Sequence, residues 1–238
     1  MSFLSRTELL IGAEGLAKLK KSHVLVIGLG GVGSYAADAL ARSGVGEMTI
    51  VDGDFVVQSN INRQLQALHS TINLSKSELM AHRLKDVNPD LILHEVNQFL
   101  NPEDIEQLLA KNFSFVLDCI DSVTPKLTII KLCKQNKLRF ISSMGAGGKI
   151  NPSNIQIVDI SETKDCFFSR EIRKRLRREH YNYGIKVVYS NEVVAKDKME
   201  LTDGSNYKRS YYGTISYMPA MFGLMMASYV LRKLIAKP

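Results

Sequence analysis

Residues 23–33, His-Val-Leu-Val-Ile-Gly-Leu-Gly-Gly-Val-Gly, constrain the fold more than any other stretch of the chain. Val24 to Ile27 form the short apolar, β-branched run that a buried parallel strand needs. The run ends in Gly28-x-Gly30-x-x-Gly33, and Ser34 to Arg42 then reads as a helix. Glycines at such a junction let the backbone turn tightly and approach a phosphate, while the helix start offers N–H groups to an anion. About twenty residues further on, Ile50-Val51-Asp52 supplies an acidic strand end suited to a ribose hydroxyl. The glycine pattern alone says only that a nucleotide binds. Strand, helix and Asp52 around it favour a nucleotide site over a merely structural turn.

The segments that follow alternate regularly. Helix 32–43 leads to strand 47–51 and an irregular loop at 52–63. A helix over 75–87 stops at Asn88-Pro89, strand 91–96 follows, and Pro102 opens a helix at 102–110. Strand 114–118 then precedes helix 123–136 and strand 138–142. This alternation predicts an α/β fold, a Rossmann-like, doubly wound, mainly parallel sheet with helices on both faces and right-handed crossovers. Ligands then sit at the carboxyl ends of the strands, where Asp52, Asp118 to Asp121 and Ser143 to Gly148 fall. Residues 1–20 read as a helix in which Leu9, Leu10, Leu16 and Leu19 share an apolar face. After Gly148 come a strand at 155–160, a basic helix at 167–179 and a strand at 185–190. A polar stretch at 195–213, with a turn at Thr202-Asp-Gly-Ser-Asn206, is expected to be a mobile loop before a closing helix at about 217–236. The expected organisation is a single domain over 1–238, with a nucleotide-binding core at 1–150 and a substrate-facing extension at 151–238.

At 238 residues and 45% hydrophobic content, the chain can bury the core of one large α/β domain. Its net charge of +7 suits an acidic partner such as nucleic acid, nucleotide or a membrane surface, or an inert basic surface. Cys119, Cys133 and Cys166 lie far apart with no Cys-x-x-Cys pair, which argues against a disulfide framework or a thiolate zinc site. The opening residues MSFLSRTELLIG lack the apolar core of a secretory signal, so the cytoplasm is the expected location. Pro219 to Leu231 falls short of the ~20 apolar residues of a span. It reads as a buried C-terminal helix, and no stable membrane insertion is expected.

The loop after Asp52 carries Asp54, Asn60, Asn62, Arg63 and Gln64. Hydride transfer has no need of such a cluster, whereas a reaction at phosphorus needs fixed cations where charge builds on the oxygens. Lys76, within Leu-Ser-Lys-Ser-Glu at a helix start, can reach the same phosphates, although by itself it reads as a solvated helix-end lysine. Asp121, in Asp118-Cys-Ile-Asp121-Ser122, faces the same crevice and suits a magnesium ion, the usual partner of polyphosphate. It suits a helix N-cap before Val123 equally well, and the two roles are compatible.

Gly28-Leu-Gly-Gly-Val-Gly33, Asp52-x-Asp54, Ser59-Asn-Ile-Asn-Arg63-Gln64, Lys76, Asn88-Pro89 and Asp118-x-x-Asp121 together resemble the ubiquitin-activating-enzyme-like adenylating superfamily. Its members include the enzymes that activate sulfur-carrier proteins. The resemblance implies ATP and Mg2+ as cofactors, and attack of a substrate carboxylate on the α-phosphate to give an acyl-adenylate. It implies nucleotide contacts from Gly28, Gly30, Gly31, Gly33, Asp52, Asp54, Asn60, Asn62, Arg63, Gln64, Lys76, Asp121 and Ser122. Within that set, Asp52 would hold the ribose, Arg63 and Lys76 the phosphates, and Asp121 the magnesium ion. Arg6, before Gly12, matches an arginine that reaches into the partner subunit's site, which implies a homodimer. The implied catalytic set is therefore Arg6, Arg63, Lys76 and Asp121. A carboxylate is already ionised at neutral pH, so such a site supplies positioning and charge neutralisation rather than a general base.

Sulfur-carrier activators carry two Cys-x-x-Cys pairs, absent here, and the ubiquitin-type enzymes add a catalytic cysteine domain for which there is no room. Cys166, in Lys-Asp-Cys-Phe-Phe before the basic helix, is either a low-pKa thiol or a structural cysteine. The chain is more similar to another subfamily, the tRNA threonylcarbamoyladenosine dehydratases, over almost its whole length. The similarity includes Arg6 to Gly12, Ala41 to Gly46, Ile120 to Lys126, Gly145-Ala-Gly-Gly148 and Phe222 through Leu234. It implies adenylation of the threonyl carboxylate of the modified adenosine, displacement of AMP by a nucleophile within the same side chain, and net loss of water. The alternative is activation of the C-terminal carboxylate of a sulfur-carrier or ubiquitin-like protein. The implied partner is tRNA, with a sulfur-transfer protein as a further one. The basic footprint is Lys164, Arg170, Arg173, Lys174, Arg175, Arg177 and Arg178, a density that favours phosphate binding over a solvated face. Tyr181 and Tyr183 are candidates to stack on anticodon-loop bases or to pack in the core, and the Gly145–Gly148 turn is where the modified base would enter. The subfamily has Asp-Pro where this chain has Asp165-Cys166, a local departure.

Overall fold

Val24, Leu25, Val26 and Ile27 of β1 (His23–Ile27) are at most 1% exposed. Val24 and Val26 enter one hydrophobic cluster and Leu25 and Ile27 another, because successive strand residues point to opposite faces. Burial on both faces is why the run is continuously apolar, and each such side chain contributes roughly 1.5–3 kcal/mol. The computed structural model describes residues 2–194, 199–201 and 210–236. The turn expected at 202–206 lies outside the described residues.

In chain order the remaining elements are α1 (Ser5–Lys20), α2 (Gly33–Arg42), β2 (Glu47–Val51), α3 (Lys76–Val87), β3 (Ile92–Val96), α4 (Pro102–Leu109), β4 (Phe115–Asp118) and α5 (Val123–Gln135). They continue with β5 (Phe140–Ser143), β6 (Ile155–Asp159), α6 (Phe167–Arg178), β7 (Lys186–Ser190), β8 (Met199–Leu201), β9 (Ser210–Tyr212) and α7 (Tyr217–Ile235). Seven strands form one sheet in the order β3-β2-β1-β4-β5-β7-β6, parallel except for the β6–β7 pair. Strands β8 and β9 form a separate antiparallel pair. Residues of α1, α2, α3 and α7 cover one face, and those of α4, α5 and α6 cover the other. The chain is thus the α/β, doubly wound, mainly parallel fold that the alternation predicts. From β1 it runs outward to β2 and β3, then returns to β4 on the other side of β1. That reversal opens a crevice beyond the carboxyl ends of β1 and β4.

Helix α7 locks the head of α2 in place. A Cβ at Gly223 would lie 2.2 Å from the Val32 carbonyl oxygen, so only glycine permits this approach. Met218, Phe222, Met226, Val230 and Leu234 bury one face of α7 in the cluster that includes Val24 of β1 and Phe115 of β4. It is the one described helix long and apolar enough to cross a membrane, yet that face belongs to the protein core. Its opposite face, with Tyr217, Met221 and Leu224, is exposed.

The first helix departs from the expectation. Leu16 and Leu19 are buried, but Leu9 and Leu10 are 88% and 84% exposed. Gly12 takes non-helical angles (φ 75°, ψ 163°), and the break turns the first half of α1 away from the core.

Candidate nucleotide and phosphate site

The glycine turn closes on itself in a way that only glycine allows. Gly28 has φ +89°, and a Cβ at Gly33 would lie 1.7 Å from the Gly28 carbonyl oxygen. Three side chains pin the turn. Asp52 Oδ2 accepts the Leu29 N–H at 2.6 Å, Ser34 Oγ donates to Gly30 O at 2.7 Å, and Gln66 Nε2 donates to Leu29 O at 2.7 Å. The second oxygen of Asp52 accepts the Asp54 N–H at 2.8 Å. Burial raises the Asp52 carboxyl above its ordinary range, opposed by the nearby Lys76 cation and by these N–H donors. A Cβ at Gly31 would meet Pro219 Cβ at 2.9 Å and Arg63 O at 3.2 Å, so the loop after Asp52 and the start of α7 both close on the turn. Gln64 Nε2 lies 3.8 Å from the Cβ position of Gly30. Among the described residues, the buried Gln64 Oε1 and Gln66 Oε1 accept no hydrogen bond. An unpaired buried carbonyl costs about 1–3 kcal/mol, which a ligand donor would relieve.

The polar residues of the following loop first build the loop itself. Asn60 is buried and accepts the Val57 N–H at 3.3 Å, and Asn62 Nδ2 donates to Thr214 O at 2.9 Å. Arg63 Nη1 donates to Ser59 O at 2.8 Å and to Asn62 Oδ1 at 2.9 Å, which aims the guanidinium. Burial pulls Arg63 below its ordinary range, and the Asp121 carboxylate opposes that shift. Arg63 and Asp121, distant in sequence, thus act on one another across the crevice. Lys76, the first residue of α3, is 5% exposed, and its Nζ lies 2.9 Å from Asp54 Oδ2. It is not the solvated helix-end lysine that its local sequence suggests. Asp121 is not the N-cap of α5 either: Ser122 takes that position, without a side-chain bond to the helix. Gln66 and the buried Asp118–Lys126 pair, with Nζ at 2.6 Å from Oδ2, were not singled out from sequence. An Asp at a strand end followed eight residues later by Lys was the pair's only signal.

The outlying candidates divide. Arg6 is exposed and lines a groove with Leu10, Ile11, Ser43, Leu231 and Ile235. Ser43 follows the C-terminal end of α2, whereas the glycine turn precedes its start; ten helical residues span about 15 Å. Arg6 therefore stands at the far end of α2 from the turn of its own chain. Lys164, Arg170, Lys174, Arg177 and Arg178 are exposed, and Arg175 pairs with Glu171 at 2.6 Å. Arg173 turns inward instead, donating to Ile160 O, Thr163 O and Thr163 Oγ1. Tyr181 packs against the core and its hydroxyl accepts from Gln135 Nε2 at 2.9 Å, while Tyr183 is exposed. Cys166 is buried with Ile172 and Leu176, and burial pushes the Cys119 and Cys133 thiols up. The Gly145–Gly148 turn is covered: Gly148 N–H donates to Gly213 O at 2.7 Å, and a Cβ at Gly147 would lie 2.8 Å from Tyr212 Cβ.

Comparison with known proteins accords with this geometry. The ThiF family profile matches residues 4–238. The chain is 38% identical over 238 residues to tRNA threonylcarbamoyladenosine dehydratase of Bacillus subtilis, covering 97% of this chain and 94% of the relative. The crystal structure of the Escherichia coli tRNA N6-threonylcarbamoyladenosine dehydratase in complex with ATP superposes with a TM-score of 0.88 at 33% identity, covering 98% of this chain and 93% of that one. Similarity to molybdopterin-synthase adenylyltransferase of Haemophilus influenzae reaches 35% identity but spans 129 residues, 54% of this chain and 53% of the relative. These two dehydratases match over more than nine-tenths of their length, and the carrier-activating enzyme matches about half. The chain belongs to the ThiF family and, within it, to the tRNA threonylcarbamoyladenosine dehydratases.

Proposed function

We propose that the chain dehydrates N6-threonylcarbamoyladenosine in tRNA, using ATP, with Asp52, Arg63, Lys76 and Asp121 as the working residues. The observation that carries this reading is the seating of Asp52 on the glycine turn, with the buried Lys76 joined to it through Asp54. The threonyl carboxylate attacks the α-phosphorus, the bond to the β-phosphate breaks, and pyrophosphate leaves. A nucleophile within the same side chain then attacks the activated carbonyl, loses its proton and expels AMP. The oxygen lost from the threonyl group departs on AMP, so the nucleoside is lighter by one water. No enzyme thiolate enters the scheme, in keeping with the burial of all but the part-buried Cys119.

Each residue's task follows from its setting. Asp52 accepts the ribose hydroxyls, its orientation held by two backbone N–H groups. Arg63 and Lys76 neutralise charge on the non-bridging oxygens; because both are partly or wholly buried, their attraction is less screened than on the surface. The Asp121 carboxylate is the oxygen donor a hard cation takes alongside phosphate oxygens, and magnesium bound there would add charge neutralisation. Arg6, remote from its own glycine turn, would serve the site of a second copy in a homodimer. The exposed cations Lys164, Arg170, Lys174, Arg177 and Arg178 would track the tRNA backbone. The use of ATP and tRNA together supports the cytoplasm as the compartment of the reaction.

The test is AMP release from labelled ATP, with and without tRNA carrying threonylcarbamoyladenosine, followed by mass analysis of the digested nucleosides. AMP formation that depends on this tRNA, with a product lighter by one water, is expected. AMP formation only on adding a carrier protein with a free C-terminal carboxylate would replace this reading by the alternative.

A further inference from the structure

The amino ends of β1, β2 and the middle of β3, on the side of the sheet away from the crevice, gather a second set of chemically active side chains. Register pairs His23 with Glu47 and Thr49 with His94, so all four side chains rise from one face. Glu47 Oε1 lies 2.8 Å from His94 Nε2 and 3.4 Å from His23 Nδ1. His23 Nε2 lies 2.8 Å from Thr49 Oγ1. In the tautomer whose Nε2–H donates to that hydroxyl, the Nδ1 lone pair faces Glu47, and Thr49 is the outer partner that a metal-binding histidine takes.

The three donor atoms lie within 4.8 Å of one another. Tetrahedral zinc with bonds of about 2.0–2.1 Å separates its ligands by about 3.3 Å, between the two measured distances from Glu47. Phe113 packs edge-on to the His23 ring at 4.7 Å, while the half-exposed His94 leaves an approach from solvent. None of these residues enters the nucleotide site. The length of β1, five residues or roughly 16 Å, separates them from the glycine turn.

We propose that His23, Glu47 and His94 form a zinc-binding site that ties the edge strand β3 to β2 and β1. Two imidazole nitrogens and one carboxylate suit zinc and disfavour magnesium and calcium, which take oxygen ligands. The strand it would secure has Ile92, His94 and Glu95 exposed and is one of the two edges of the sheet. Such an edge is the part of a sheet most in need of fastening.

The experiment uses the full chain, stripped with a chelator that is then removed. Zinc chloride is titrated in by calorimetry, and the melting temperature is followed with zinc or magnesium. One zinc per chain is expected, with a rise of about 5–10 °C at hundredfold excess over Kd and no such rise with magnesium. Glu47→Gln and His94→Gln should each weaken zinc binding by at least about 100-fold, beyond the 10–100-fold loss of an outer-shell partner. Both should keep ATP-dependent activity measured without zinc. Cobalt should give the visible bands of a tetrahedral ion in the parent and not in His94→Gln. Failure of the parent to bind zinc, or zinc binding of equal strength in both variants, would overturn the proposal.

Discussion

Lys126 and Asp118 have no exposed side-chain surface, and Nζ lies 2.6 Å from Oδ2. Lys126 Nζ also donates to Ser142 Oγ at 3.0 Å, and Ser142 Oγ donates to Asp118 Oδ2 at 2.6 Å. The other Asp118 oxygen accepts the Ile120 N–H at 3.2 Å, so this buried cluster shapes the turn that presents Asp121. A buried ion pair adds little net stability, but removing one partner strands the other charge at a cost of about 3–5 kcal/mol. Lys126→Met should therefore lower unfolding stability by about that amount in urea titration, and Asp118→Asn combined with Lys126→Met should regain most of it. A single variant no less stable than the double one would show that the pair is not the source. From sequence, Asp118 was placed at the crevice by its strand end, which is correct, but its buried partner was not read. Read alone, the segment around Lys76 suggests a solvated helix end for the same reason. Whether a lysine is solvated depends on what other elements bring to it, and Asp54 lies 22 positions away.

Helix α6 shows what an element's periodicity does and does not convey. Ser169, Ile172 and Leu176 form the buried stripe, and Lys174, Arg177 and Arg178 lie outside it. Charge reversal of these three cations should weaken tRNA binding and reduce the slope of log Kd against log salt by about one per residue. Arg173→Ala should leave that slope unchanged and instead cost about 1.5–3 kcal/mol of stability, since its donors serve Ile160 and Thr163. Binding titrations at several salt concentrations, beside urea unfolding, separate the two kinds of arginine. Element positions were legible because their signals are local. Pro102 opens α4 with an Asn101 cap, the helix expected at 123–136 is Val123–Gln135, and strand 47–51 is β2. The break in α1 was not legible, because a glycine inside a helical pattern is as often tolerated as it is a hinge. Gly12 therefore hid the outward turn of Leu9 and Leu10.

At the scale of the whole molecule, that outward turn leaves apolar surface in need of a partner. Phe3, Leu9 and Leu10 are exposed, and Leu10 shares a groove with Arg6, Leu231 and Ile235 at the far end of α7. Tyr217, Met221 and Leu224 continue an exposed apolar face along that helix. A surface of this kind on a second copy would cover it by twofold symmetry. The same contact would carry Arg6 away from its own chain's glycine turn and offer it to the partner's. Light scattering should therefore find a dimer, and paired Leu9→Lys and Leu10→Lys substitutions should yield monomers with little activity. Complementation tests the shared site more sharply. Arg6→Ala and Asp121→Ala should each be nearly inactive alone, because each removes one half of every composite site. Unfolded together and refolded as a mixture, half of the dimers would be mixed, and each mixed dimer would hold one intact site of two. Activity should then recover to about a quarter of the parent's, as random twofold assembly requires. No recovery, with mixed dimers demonstrated by differential tags, would mean that Arg6 serves its own chain or none.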